Sequence, residues 1–283
     1  MKVILTGATS MIGLALTEEL IKNNDDVIMI VRENSKKLDL IPNSKKITIL
    51  KCDLENLSKL DTLLTADYFI HLGWDKTIGK DRDNCYIQNL NIKYTLDAVN
   101  LASKMRCKKF IGIGSQAEYG LKDEKLSIDT PCNPVTGYGI AKYAAGKFSK
   151  ILSNQLGLEF NWIRVLSVYG KNDNPNTLIS YVLNCIKNNV DADVTKCEQI
   201  WDYIEVTDAA KIIIDILKYG KNGVAYPLGS GNAKPLKEYL EDLKLKYNSH
   251  IKINYGAKDY YENQVMYLVA DMSYLDELKS EEK

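Results

Sequence analysis

The sequence predicts an α/β protein built on a doubly wound parallel sheet, followed by a smaller mixed α/β region. Short apolar β runs alternate with amphipathic helical segments through the first five units, and such alternation produces a parallel sheet with helices on both faces. The first β run leads directly into a glycine turn and a helix. After residue 166 the pattern loosens. We therefore expect domains at 1–165 and 166–283, with some later segments returning to the first.

Composition narrows the class of function. The chain has 283 residues and a formal net charge of +0, so a nucleic-acid or acidic-membrane partner is not expected. Its six cysteines are scattered and it has only two histidines, which argues against a disulfide framework or a metal site. No apolar run approaches the length of a membrane span and no signal peptide fits. We expect a cytoplasmic protein.

The opening segment is typical of a dinucleotide site. Lys2–Thr6 reads as a strand and Leu14–Lys22 as a helix, with a glycine turn between them. Gly7 suits the tight turn, Gly13 lets the helix pack on the sheet, and the helix N-terminus would face a pyrophosphate. The spacing is similar to T-G-x-x-G-x-x-G with Ser10 at the middle glycine.

The end of the second strand bears on the choice of cofactor. Val27–Val31 is followed by Arg32, one of four arginines in the chain, where a ribose-binding acid would lie for NAD. A guanidinium suits a 2′-phosphate, and Lys36 or Lys37 could assist it. The adjacent Glu33 could still reach a ribose. NADP(H) is therefore favoured, and NAD(H) stays open.

Further strands carry single polar residues. Strands are predicted at Lys46–Leu50, Tyr68–Leu72 and Lys109–Ile113, with a helix at Asn89–Ser103. Asp53 could bond the adenine amine or cap the next segment. His71 lies in an apolar strand and reads as packed beside the cofactor rather than catalytic. Asn91 would face the sheet from the helix.

The stretch from Phe110 to Lys142 indicates proton chemistry. Tyr138 and Lys142 are four residues apart, so on a helix they share one face. A nearby ammonium can lower a tyrosine pKa by about 1–3 units, and Ser115, at the end of a strand, could hold a carbonyl oxygen against the phenol. Read alone, Tyr-x-x-x-Lys is a weak signal, and an exposed helix pair is the alternative.

The C-terminal region is predicted from shorter segments. Helices are expected at Asn176–Lys187, Asp208–Lys218 and Leu236–Lys246, and β runs at Ala225–Leu228, Ile251–Tyr255 and Gln264–Ala270. We expect this region to lie over the carboxyl ends of the strands, where open α/β sheets bind ligands. The charged tail 279–283 is expected to be frayed.

Together these motifs carry a family resemblance. They are Thr6-Gly7 with Gly13, Asp53, His71-Leu72-Gly73, Asn91, Gly114-Ser115, Tyr138 with Lys142, Arg164 with Val168-Tyr169-Gly170, Trp201 to Asp208, and Leu228 to Gly231. As an ordered set spanning nearly the whole chain, they resemble the extended short-chain dehydrogenase/reductase family. Ser115 to Gly120 with His71 to Trp74 is most similar to reductases of nucleotide-linked 4-keto-6-deoxy sugars, the group of CDP-abequose and CDP-paratose synthases.

The resemblance implies a Rossmann-type fold and NADPH-dependent reduction of a keto sugar, with Ser115, Tyr138 and Lys142 catalytic. The implied cofactor-binding residues are Gly7, Thr9, Ser10, Met11, Ile12, Gly13, Arg32, Asp53, Leu54, Leu72, Gly73, Asn91, Tyr138, Lys142 and Val165. The implied substrate-binding residues are Trp74, Gln116, Glu118, Arg164 and Tyr203. For Arg164 a structural ion pair is the alternative. A homodimer built on the two helices flanking the cofactor domain is also implied.

Two departures separate the chain from related activities. The 4,6-dehydratases of the family carry an Asp-Glu pair after the Ser/Thr, where this chain has Gln116 and Ala117. Glu118 comes one step later and would point to the other face if the strand continued. Some members of the family epimerise the sugar with a cysteine and a histidine before they reduce it. Neither His71 nor His250 is positioned for that role. The alternatives are an NAD-dependent nucleotide-sugar 4-epimerase and a non-catalytic NAD(P)-binding regulatory protein.

Overall fold

The computed structural model describes residues 1–77, 79–261 and 264–280, so the last three residues of the tail lie outside the described chain. Its strands are β1 (Lys2–Thr6), β2 (Asp26–Val31), β3 (Ile47–Lys51), β4 (Tyr68–His71), β5 (Lys109–Ser115), β6 (Glu159–Val165), β7 (Ser167–Tyr169), β8 (Ala192–Val194), β9 (Ile200–Trp201), β10 (Tyr203–Glu205), β11 (Ala225–Leu228), β12 (Lys234–Pro235), β13 (Ile253–Tyr255) and β14 (Tyr267–Leu268). Its α-helices are α1 (Met11–Lys22), α2 (Cys85–Lys104), α3 (Gly137–Gln155), α4 (Leu178–Asn188), α5 (Val206–Tyr219), α6 (Leu236–Lys246) and α7 (Tyr274–Ser280).

The central sheet has seven parallel strands in the order β11-β6-β5-β4-β1-β2-β3. The strand order reverses between β1 and β4, and the carboxyl ends of the strands on either side of such a switch point border a ligand crevice. The predicted doubly wound parallel sheet is confirmed.

Apolar side chains cover both faces of the sheet. On β5, Ile111 packs with residues of α1, α5 and α7, whereas Phe110 points the other way toward α2 and α3. Trp162 of β6 lies so close to β5 that a Cβ on Gly112 would come within 2.1 Å of its ring. This packing fixes the position of β5, which ends in the candidate site.

Local capping sets where two helices begin. Ser10 caps α1 by accepting a hydrogen bond from Gly13, so α1 begins at Met11, earlier than the predicted Leu14. Asn84 accepts from the backbone of Tyr86 and Ile87, so α2 begins at Cys85, four residues before the predicted start. Polar residues before an apolar repeat extend a helix in this way.

The chain after residue 166 forms three small sheets and also returns to the large one. β7 pairs with β10, β8 with β13, and β9 lies between β12 and β14. β11 completes the edge of the central sheet and α5 packs against its core. The predicted strand at Gln264–Ala270 is reduced to two residues, because Ala270 pairs only with Leu126 in an isolated bridge. The boundary at residue 165 stays a prediction.

Across the described ranges, no helix is both long and apolar enough to span a membrane. The same residues contain no group of three His, Cys, Asp or Glu side chains placed to hold a metal ion.

Candidate active site

A cleft of about 460 Å³ opens at the carboxyl ends of β1 to β4. Nine of the residues singled out from the sequence line it: Gly7, Thr9, Ser10, Arg32, Asp53, Leu54, Leu72, Gly73 and Trp74. Thr6 and Asp75, which the sequence analysis did not assign to the site, line it as well. These residues come from four strand ends that are far apart in the chain, so the sheet itself assembles the cleft.

The floor of the cleft suits a dinucleotide backbone. Gly7 has a φ of +61°, and a Cβ there would come within 2.8 Å of the Gly73 nitrogen. A Cβ on Gly13 would lie 2.6 Å from the Gly7 carbonyl oxygen. Ser10, with a φ of −73°, needs no glycine, and its hydroxyl caps α1. Met11 and Ile12 follow in the first helical turn, where free backbone N–H groups favour an anion.

The outer end of the cleft, beside β2 and β3, is lined by both cations and acids. Arg32 and Lys37 both line it, whereas neither Glu33 nor Lys36 is among its lining residues. Asp53 lines the same end and makes no side-chain hydrogen bond to the turn that follows it. The Asp53 carboxylate is therefore available to a ligand. This favours the role of bonding the adenine amine over the role of capping the next segment.

His71 is buried and held at both ring nitrogens. Its Nδ1 lies 2.7 Å from the Thr6 hydroxyl and its Nε2 3.4 Å from the Thr95 hydroxyl. Burial, and secondarily the charge of Lys142, lowers the pKa of His71 to about 3. The ring is therefore neutral at physiological pH. Because the Thr6 hydroxyl also accepts a hydrogen bond from the Gly73 backbone, His71 shapes the cleft from behind.

Ser115, Tyr138 and Lys142 come together beside this cleft. Ser115 ends β5, and α3 brings Tyr138 and Lys142 to it in consecutive turns. Thr136 caps α3 through a hydrogen bond from the Gly139 backbone at 3.1 Å. The Ser115 hydroxyl accepts a hydrogen bond from the Ala117 backbone and acts on the Tyr138 phenol, whose pKa it tends to lower. A carbonyl oxygen at this point would meet two hydroxyl donors.

The electrostatics of this group differ from the prediction. Burial raises the pKa of Tyr138, with the Ser115 hydrogen bond and then the charge of Arg82 acting in the opposite direction. Burial lowers the pKa of Lys142 to about 7, against the opposing charge of Glu118. The predicted net lowering of the Tyr138 pKa by Lys142 is therefore wrong for this structure.

The position of Lys142 explains the difference. Its Nζ donates to the Ile113 carbonyl oxygen at 2.6 Å and lies 3.8 Å from the ring centre of Trp74. The same atom is 5.9 Å from the centre of the Tyr138 ring. Lys142 is thus held to β5 and shared between two rings, and it does not point at the phenol alone.

Glu118 and Arg164 bind each other. β5 stops at Ser115, and Gln116–Glu118 forms a short 3₁₀ turn that brings Glu118 back under the strand. The fully buried Glu118 carboxylate accepts from Arg164 at 2.8 Å and from the Ser115 backbone and the Trp162 indole at 2.9 Å each. The idea that Glu118 continues the strand on its other face is wrong, because the Ser115–Glu118 capping box ends the strand.

Other predicted residues lie around this centre. Asn91 bonds both backbone groups of Asp75, and Val165 ends β6 beside Ser115. Tyr203 makes edge contacts with Tyr169 and with Tyr239 in the C-terminal region. Gln116 is partly exposed. Direct roles for these residues toward cofactor or substrate stay predictions.

The sequence analysis named Trp74 but missed Arg82 in the segment between β4 and α2. Trp74 donates its indole N–H to Gln88 at 2.9 Å and meets the Tyr138 ring edge-on at 5.9 Å between centres. The guanidinium carbon of Arg82 lies 4.6 Å from the Tyr138 ring centre. The scarcity of arginine in the chain was the signal that could have singled out Arg82.

Comparison with known proteins agrees with this geometry. Residues 3–229 match the NAD dependent epimerase/dehydratase family, and the chain belongs to that family, which makes it a nicotinamide-dependent enzyme of the extended short-chain dehydrogenase/reductase type. It is 27% identical to the CDP-abequose synthase of Salmonella muenchen, over 98% of this chain and 91% of that protein. It is 24% identical to the dTDP-4-dehydro-6-deoxyglucose reductase of Escherichia coli, over 89% of this chain and 84% of that protein.

Solved structures are similar over the same length. The UDP-N-acetylglucosamine 4-epimerase from Methanobrevibacter ruminantium M1, in complex with UDP-N-acetylmuramic acid, superposes with a TM-score of 0.88 at 24% identity. The match covers 98% of this chain and 91% of that one. At this identity the likeness establishes the fold.

Proposed function

We propose that the protein reduces the keto group of a nucleotide-linked 4-keto-6-deoxy sugar with NADPH. Support comes from the Ser115–Tyr138–Lys142 group beside a dinucleotide cleft and from the likeness to curated proteins named for deoxy-sugar chemistry. The family assignment supplies the nicotinamide cofactor. The substrate and the preference for NADPH are parts of the proposal.

The proposed roles follow from the contacts of each side chain. NADPH, when bound, supplies the hydride. Ser115 orients the substrate carbonyl oxygen, and Tyr138 gives that oxygen its proton as the carbonyl is reduced. A tyrosine whose pKa is raised by burial is protonated at neutral pH, as a proton donor must be. Lys142 holds the end of β5 through Ile113 and presents its remaining N–H groups to the cofactor ribose.

The observation that carries the proposal is the engagement of Glu118. It is the acidic side chain of the turn that follows Ser115, and three hydrogen bonds, one of them from the buried Arg164, occupy its carboxylate. A dehydratase needs a carboxylate free to remove a proton, and Gln116 and Ala117 cannot do this work. The arrangement therefore favours simple reduction over dehydration.

The 4-epimerase remains the second candidate, because it uses the same three residues and because solved epimerases share the fold. An epimerase must retain NAD and return the hydride to the opposite face of the sugar. Arg32 and Lys37, which line the cleft beyond β2, favour NADPH and so weigh against an epimerase that retains NAD.

Two further parts of the proposal concern assembly and location. The exposed apolar residues on α2 and α3 support a homodimer built on these helices. All six cysteines are free thiols, four of them buried, which supports a reducing compartment such as the cytoplasm.

The test is NADPH oxidation against a panel of CDP-, dTDP- and GDP-linked 4-keto-6-deoxy sugars, with wild type and Tyr138→Phe. We expect turnover of one of these sugars by wild type. Tyr138→Phe should lose about 10²–10⁴-fold in kcat while retaining NADPH binding, because it lacks only the proton donor.

The matching negative assay is CDP-glucose and dTDP-glucose with NAD, from which no 4-keto product should form. Epimerised sugar with retained NAD would identify the second candidate instead. A Tyr138→Phe variant within a few-fold of wild type would show that the chemistry lies elsewhere.

A further inference from the structure

Arg82 occupies a defined place over the candidate proton donor. It belongs to the turn Lys80–Asp83, and its guanidinium carbon lies 4.6 Å from the centre of the Tyr138 ring, within the range of cation–π attraction. The neighbouring Asp83 carboxylate accepts a 2.7 Å hydrogen bond from the backbone of Gly137. Because Gly137 directly precedes Tyr138, this bond fixes the position of the turn relative to the start of α3.

The same turn is anchored from α2. The Gln88 amide, nearly fully buried, donates to the backbone oxygens of Lys76 at 3.0 Å and Asp81 at 3.2 Å. Its carbonyl oxygen accepts from the Trp74 indole. The backbone that carries Arg82 is therefore fixed to both α2 and α3.

The charges facing Tyr138 come from three elements. Arg82 approaches from the turn, Lys142 from the same helix, and Ser115 and Glu118 from the end of β5. Glu118 opposes ionisation of the phenol. Lys142 is directed to β5 and Trp74, and burial lowers its pKa to about 7. An arginine keeps its charge at every physiological pH, so Arg82 is the dependable cation at this ring.

We propose that Arg82 acts through Tyr138, as a positioning residue that stabilises the tyrosinate formed when the phenol gives up its proton. The sequence analysis expected Lys142 to tune Tyr138. Here Arg82, in the turn before α2, takes a large part of that role. The inference deepens the proposed function and rests on it for its catalytic consequence.

The proton step balances as follows. Bound NADPH would supply the hydride, its nicotinamide C–H bond breaking and NADP⁺ remaining, while a new C–H bond forms at the carbonyl carbon and the π electron pair of the C=O bond moves to the oxygen. The O–H bond of Tyr138 breaks, its proton passes to that oxygen, and its electron pair stays on the phenolate facing Arg82. Solvent water returns a proton to the phenolate before the next turnover.

The first experiment needs no substrate. Protein labelled with ¹³C at the tyrosine Cζ is titrated with pH by NMR, and the Tyr138 signal is assigned by its loss in Tyr138→Phe. Arg82→Met should move the Tyr138 titration about 0.7–1.5 pH units higher, because a partly desolvated cation is removed from the ring. Arg82→Lys, which keeps a charge, should move it less.

Lys258→Met is the matched control, since Lys258 lies 4.7 Å from the ring centre of Tyr181 in the C-terminal region. It should leave the Tyr138 titration unchanged. Near-ultraviolet circular dichroism of each variant checks folding. A Tyr138 titration that does not move in Arg82→Met, or a phenol that stays protonated to high pH in both proteins, overturns the proposal.

With an active keto-sugar, Arg82→Met should lower kcat about fivefold to thirtyfold and move the alkaline limb of kcat upward by the same shift as the titration. A raised KM with unchanged kcat and pH profile would show that Arg82 binds substrate, and would overturn the tuning role. Failure of every keto-sugar would count against the proposed function alone, because the NMR titration still decides on Arg82.

Discussion

Arg32 is the residue on which the choice of cofactor depends. It follows β2 at the rim of the cleft, is exposed, and shares the rim with Lys37 and Asp53. An aspartate or glutamate in its place would accept hydrogen bonds from the two ribose hydroxyls of NAD. A guanidinium instead offers paired N–H donors to a phosphate. Under the proposed function, the side chain at this one position would distinguish NADPH from NADH.

We predict that wild type binds NADPH about tenfold to a hundredfold more tightly than NADH, since a charge-assisted contact contributes about 1.5–3 kcal/mol. Arg32→Ala should lose most of this preference without weakening NADH. Fluorescence titration of both cofactors measures it, with Lys36→Ala, a cation outside the cleft lining, as the control. Equal affinities in wild type would remove the argument for NADPH.

At the scale of elements, the strands of the central sheet and several helices were predictable, whereas strands of two residues were not. The bounds of β1, β11 and α6 agree with the prediction to the residue, because their apolar patterns end at clear polar or glycine positions. β9, β12 and β14 have two residues each, which is too short for any period to show in a sequence. These strands form only because the folded chain brings β9 between β12 and β14, where their backbones pair.

The site shows the same division. The glycines, Ser115, Tyr138 and Lys142 were found because their spacing is set locally by one strand or one helix. The Glu118–Arg164 pair and the contact of Arg82 with Tyr138 join residues that are more than forty positions apart. Only the register of the sheet and the packing of the turn bring them together, so spacing in the sequence carries no trace of them.

The Glu118–Arg164 pair ties the turn after β5 to β6, and its removal should cost stability. Glu118→Ala leaves the buried Arg164 charge unpaired, which is expected to lower the free energy of unfolding by about 3–5 kcal/mol. The double variant with Arg164→Met should recover part of the loss. Urea unfolding measures all three.

Lys211→Met, which removes an exposed partner of Asp208, serves as the control and should lower the free energy of unfolding far less than Glu118→Ala does. Unchanged stability of Glu118→Ala together with a raised KM would mean that Glu118 binds substrate, as the sequence analysis first suggested. That outcome would also free a carboxylate beside Ser115 and weaken the case against dehydration.

At the scale of the whole molecule, helices α2 and α3 pack side by side on one face of the sheet and present apolar side chains outward. On α3, Ile140, Phe148 and Ile151 are each more than half exposed. On α2, Tyr86 is 86% and Leu90 45% exposed. An exposed apolar area of this kind suits the proposed homodimer, because a two-fold axis between copies would pair it with itself.

We predict that the protein in solution has twice the 32.0 kDa mass of the chain, and that Phe148→Glu with Ile151→Lys converts it to single chains. Both side chains are exposed, so the substitutions should leave the fold and NADPH binding intact while desolvated charges break the interface. Sedimentation velocity measures the mass, and Leu245→Glu, at a 78% exposed leucine of α6, is the control that should stay dimeric.

A wild-type protein that sediments as a single chain at micromolar concentration would contradict the prediction, and a double variant that remains dimeric would move the interface to another surface. All the candidate site residues come from one chain, at the ends of the central strands and the start of α3. The monomeric variant should therefore still turn over substrate if α3 keeps its position.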